Sequence, residues 1–166
     1  MWKTMAVAIL LLCPQGALAN EADFLRALSG SWSGGGSYVR PNGDTPVTVT
    51  CNFKSTATAS TLIMRGTCRA LVVVSRSLDA ELRVSGNDYS GRYSGPEGDA
   101  TLRGVRSGNS LSLTINWHQT VRGDQQARME ISMEASNELT LRTTDMDAAG
   151  QRQIVTTDIR LHRDRP

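Results

Sequence analysis

Few side chains in this 166-residue chain are grouped for chemistry. His118 and His162 are its two histidines. Each sits where polar and apolar residues alternate, and each falls on the polar side. His118 keeps company with Ser112, Thr114 and Asn116, and His162 with Asp158 and Arg160. A base or metal ligand there needs a partner, and no H-E-x-x-H or comparable spacing occurs. No metal site is therefore expected. The many serines include none in a Gly-x-Ser-x-Gly elbow, and a hydrolase would still need one of these histidines at hand. Asp79 and Glu81 share one face of a strand, a spacing that allows acid–base work but equally describes a solvated surface. Arg122-Gly123-Asp124 has the form of an integrin-type adhesion tripeptide, yet between two strand-like stretches it reads as a glycine turn. The expectation is a protein with no catalytic residues, not an enzyme.

The elements that carry these residues are strands. Val47, Val49, Cys51 and Phe53 alternate with Thr48, Thr50, Asn52 and Lys54. The same period of two runs through Leu111, Leu113, Ile115 and Trp117, through Met129, Ile131 and Met133, and through Val155, Thr157, Ile159 and Leu161. A strand that is apolar on one side belongs to an antiparallel sheet with one wet face. Turn signals separate the strands: Pro41-Asn42-Gly43-Asp44, Ser85-Gly86-Asn87-Asp88, Gly95-Pro96-Glu97-Gly98, Ser107-Gly108-Asn109 and others. The glycines at Gly34-Gly35-Gly36 mark a bend within the first strand. Only Glu21 to Leu28 reads as helix, with Phe24, Leu25 and Leu28 on one stripe. The fold expected is an all-β, up-and-down antiparallel barrel of roughly eight to ten strands with a short N-terminal helix, a β-sandwich being the alternative.

The first nineteen residues are expected to be a signal peptide: Lys3, an apolar run from Ala6 to Cys13, then Ala17-Leu18-Ala19 before Asn20. The apolar run is shorter than the roughly 20 residues a membrane-spanning helix needs. Residues 1–19 are thus read as leader and residues 20–166 as one domain in the periplasm or outside the cell. In an oxidising compartment Cys51 and Cys68 are expected to pair. If they are cross-strand neighbours, paired positions sum to 119 and Phe53 stands opposite Gly66; a bridge between two facing sheets is the other geometry. The net charge of +2 for the full chain gives no reason to expect nucleic acid or an anionic membrane as partner.

The segment from Asp23 to Gly34 resembles the opening of calycin barrels, the group of lipocalins, fatty-acid-binding proteins and nitrobindin-like proteins. There a short helix plugs one end and a Gly-x-Trp begins the first strand; Gly30 and Trp32 match, and Gly34 extends the match to the nitrobindin-like form. The resemblance implies an arginine of the last strand packed over the tryptophan, for which Arg160 is the candidate. It also brings in haem, held in nitrobindin-like proteins by a histidine near the C-terminus, where His162 lies. Thr144-Asp145-Met146 departs from the second lipocalin motif in lacking its aromatic residue. The chain also resembles small exported β-domain proteins of Gram-negative bacteria.

The function expected is non-enzymatic binding of a small apolar or lipid-like molecule inside the barrel, with no cofactor. Trp32, Val49, Phe53, Leu113, Trp117, Met129, Met133 and Leu141 are the candidate lining residues; methionine adapts to irregular shapes. Gly30, Trp32, Gly34 and Arg160 are given structural roles. The alternative is an envelope protein-interaction module or inhibitor with a solid core.

Overall fold

The computed structural model describes residues 16–70 and 74–165. They form one helix, α1 (Gly16–Leu28), and ten strands. These are β1 (Gly30–Val39), β2 (Pro46–Ala57), β3 (Thr61–Ala70), β4 (Val74–Ser85), β5 (Asp88–Gly95), β6 (Gly98–Ser107), β7 (Ser110–Val121), β8 (Asp124–Ala135), β9 (Glu138–Met146) and β10 (Gln153–Arg163). Every strand pairs antiparallel with its neighbour in sequence, and β10 returns to pair with β1. The sheet is a closed barrel and not a sandwich.

Local chemistry explains the closure. The inward rows of β2 (Val49, Cys51, Phe53) and β7 (Leu111, Leu113, Ile115, Trp117) are buried, and their polar alternates mostly face outward. β1 must bend sharply to meet β10, and it does so at glycine. A Cβ on Gly34 would fall on the carbonyl oxygen of Arg160, and one on Gly36 on that of Asp158. Cys51 and Cys68 are joined by a disulfide, directly opposite each other on β2 and β3. Phe53 is paired with Gly66, and the Phe53 ring occupies the space a side chain at position 66 would need.

Two details differ from the sequence reading. α1 starts at Gly16, not at Glu21, and so runs through Ala17-Leu18-Ala19; Lys3 and the run from Ala6 to Cys13 lie outside the described residues. In β10 the register against β9 shifts between Val155 and Thr157. This bulge turns Val155 to solvent and buries Thr156, so the alternation holds only from Thr157 onward.

Candidate functional site

The two ends of the barrel are built differently. At one end α1 inserts Phe24, Leu25 and Leu28 against Trp32, which is 0% exposed. Helix C-termini leave carbonyls without partners. Here Trp32 Nε1 donates to the Leu28 carbonyl at 3.0 Å, joined there by the Ser55 hydroxyl. Arg163 donates to the Ala27 carbonyl at 2.6 Å and to that of Ser29, and its guanidinium lies 4.1 Å from the Trp32 ring centroid. Position 163 shares the inward parity of Ile159 and Leu161. Arg160 has the opposite parity, is exposed, and does not reach Trp32, so the arginine over the tryptophan is Arg163 and not Arg160.

Deeper under the same helix, Glu21 and Arg106 form a buried ion pair at 2.8 Å, and Tyr89 donates its hydroxyl to Glu21. The Arg106 hydrogen bond holds the Glu21 carboxyl below the usual carboxylate range, against the opposing effect of burial. Burial, reinforced by Glu21, pushes the Tyr89 phenol well above its ordinary value.

Toward the other end the interior opens into a cavity of about 650 Å³. Its apolar wall includes Val49, Phe53, Met64, Ile115, Trp117, Met129, Ile131, Leu141 and Ile159. Five of the eight candidate lining residues are therefore on it: Val49, Phe53, Trp117, Met129 and Leu141. Trp32, Leu113 and Met133 are buried in the solid part of the core instead. Trp117 is fixed edge-on to Tyr93, ring centroids 5.8 Å apart at 76°, and its Nε1 is buried with no hydrogen-bond partner among the described residues. His118 and His162 are both exposed, and neither lines the cavity. Asp79, at the exposed rim of the cavity, meets Arg65, while Glu81 is gripped by Arg92 and Arg83, which hold its carboxyl low.

The polar groups around this cavity are ones the sequence reading did not single out as a site. Tyr93 donates to Glu97 Oε2 at 3.0 Å, and the Tyr38 phenol lies within reach of the same carboxylate's charge. Burial first, and Glu97 second, push both phenols well above their ordinary values. Arg122, at φ +53°, sits in the left-handed region that few non-glycine residues adopt. Its side chain turns inward: Nη1 donates to Asp44 at 3.2 Å and to the Met146 carbonyl at 3.1 Å. Nη2 donates to the carbonyls of Arg40, at 2.6 Å, and Gly43. Asp44 also accepts the Ala148 N–H at 2.8 Å. Three loops are thus tied together by one arginine, and the arginine of Arg122-Gly123-Asp124 is an internal tie, not an exposed recognition group.

Asp145 is 5% exposed and lines the cavity. Its Oδ1 accepts the Met146 N–H at 2.6 Å. Among the described residues nothing donates to its Oδ2, which is also not sealed away as Trp117 Nε1 is. Burial holds this carboxyl above the usual range, opposed by the Met146 N–H. A signal for it exists in the sequence: Leu139, Leu141, Thr143 and Asp145 share one parity, and an acid at the end of an inward row is out of place.

No family model matches the chain, and no curated protein matches it. Solved structures do share its fold. The crystal structure of Rv2717c from M. tuberculosis superposes with a TM-score of 0.70 at 21% sequence identity, covering 93% of this chain and 99% of that one. At that identity the likeness is one of fold.

Proposed function

We propose that this protein binds a small, largely apolar molecule inside the barrel without transforming it. The observation that carries the reading is the cavity of about 650 Å³ behind an aliphatic wall. Ligand pockets typically span about 300–1,000 Å³ and are mostly apolar with a few placed polar groups. A barrel filled for stability alone would continue the dense packing found around Trp32; here the same inward rows stop short of filling the space. The disulfide supports a place outside the reducing cytoplasm. The helical plug, Gly30, Trp32 and the stacked Arg163 support kinship with calycin barrels.

Titration with a neutral apolar fluorophore, N-phenyl-1-naphthylamine, tests the reading. Saturable one-to-one binding is expected. Ile131→Trp, which places an indole in the empty space, should weaken it at least about tenfold while the protein remains folded. Absence of saturable binding, or equal binding by the filled variant, would overturn the proposal.

A further inference from the structure

We infer that the occupant of the barrel is an amphipathic molecule with a hydrogen-bond-donating head, an aliphatic primary amine, whose nitrogen meets Asp145 Oδ2. The inference rests on the cavity reading above and narrows it to a ligand class.

The argument is an inventory of what the cavity has left to offer. Its strong donors are spent. All four terminal N–H groups of Arg122 go to Asp44 and to three backbone carbonyls, which leaves no two-pronged clamp for a carboxylate. The Tyr93 hydroxyl is given to Glu97, whose charge also acts on the Tyr38 phenol. Trp117 Nε1 is sealed from the open space. Arg40 and Arg76 reach the rim but stand exposed to water. Besides the hydroxyls of Thr143 and Thr157, and Asn42 and Asp79 at the exposed rim, what remains is an acceptor: Asp145 Oδ2, on a side chain otherwise buried, with no donor among the described residues.

Position along the strands gives the orientation. From the mouth inward, β9 presents Asp145, Thr143 and Leu141, and β10 presents Thr157 opposite Thr143 and Ile159 opposite Leu141. A head at Asp145 therefore sends an alkyl tail past the threonines to Leu141, Ile131 and Ile159. Of the charged groups that act on Asp145 and also line the cavity, Arg122 is already engaged and Glu97 is an acid. An entering carboxylate would meet Asp145 and Glu97, a like-charge arrangement that selects against it.

The test is competition against bound N-phenyl-1-naphthylamine at neutral pH, below the aggregation concentration of each competitor. The competitors are dodecylamine, dodecanol, dodecanoate and dodecyltrimethylammonium. Dodecylamine should displace the fluorophore best, at least about tenfold better than dodecanoate. Dodecyltrimethylammonium, a cation with no N–H, should trail dodecylamine by a similar factor, which separates hydrogen bonding from bare charge. In Asp145→Asn the advantage of the amine over the alcohol, each read relative to that variant's own affinity for the fluorophore, should vanish. The four-ligand order is read on the unaltered protein and so does not depend on the variant folding. Dodecanoate matching or exceeding dodecylamine overturns the inference, as does an unchanged amine preference in Asp145→Asn. Failure of all four competitors against a bound fluorophore also overturns it, with the cavity reading intact. Failure of the fluorophore itself removes the cavity reading, and this inference with it.

Discussion

The plugged end and the open end of this barrel treat buried polarity in opposite ways. Under α1 the buried carboxylate of Glu21 has Arg106 and Tyr89, and its pKa is held down. At the open end the buried carboxyl of Asp145 has one backbone N–H and a free oxygen, and its pKa is held up. One is carried by the helix and the other by β9, yet both are buried, so burial alone does not set their behaviour. The difference is whether the fold supplies partners. A charge satisfied from within is held in place at little cost, whereas one left half satisfied is costly to keep buried.

The contrast can be broken in order of expected effect. Trp32→Ala removes the centre of the solid end and should cost about 3–5 kcal/mol in urea unfolding; a loss under about 1 kcal/mol, typical of surface sites, would mean the plug is not packed as described. Glu21→Gln removes the carboxylate charge that faces the Arg106 guanidinium and should cost about 3 kcal/mol at neutral pH. The sign with pH follows from the direction of its shift. A lowered Glu21 pKa gives stability that is fully present above the unfolded-state carboxylate value and is lost as pH falls through the folded one. The acid limb of the stability curve should therefore flatten in this variant, as read by thermal unfolding from neutral to acid pH. Replacing Cys51 and Cys68 together by serine should cost about 3 kcal/mol, the order expected for a loop of 17 residues. Retention of full stability would show that the β2–β3 register needs no tie.

The smallest effect is expected at Asp145, and it has the opposite sign. A raised carboxyl pKa means that ionised Asp145 weighs against the fold at high pH and that the penalty fades as pH falls. Asp145→Asn should melt no earlier than the wild type above neutral pH, and the two curves should converge in acid. A variant that melts clearly earlier at high pH would place Asp145 with Glu21 among the stabilising groups and erase the distinction between the ends.

Much of the barrel could be read from parity. The one-sided rows of β2, β7 and β8 gave the sheet its wet and dry faces, and a pair sum of 119 from Cys51 and Cys68 set Phe53 opposite Gly66 as found. Parity failed where one residue was added: the bulge at Val155 and Thr156 is a local kink that no alternation announces. Membership of the last strand points to Arg160, whereas the parity of Ile159 and Leu161 makes the inward arginine Arg163. The division of the core into a solid part, with Trp32, Leu113 and Met133, and an open part, with Met129 and Leu141, depends on volumes summed across strands distant in sequence. So does the tie made by Arg122, whose partners lie on loops up to 82 residues away.

The seam between β1 and β10 joins the beginning of the domain to its end. As the chain emerges, from a ribosome or a pore, every intermediate length has two raw sheet edges, one of them always β1. Only the last 11-residue strand removes both at once. A stop codon a dozen residues early would therefore not merely trim this protein: it would leave it an open ribbon with two adhesive borders, prone to joining other copies of itself.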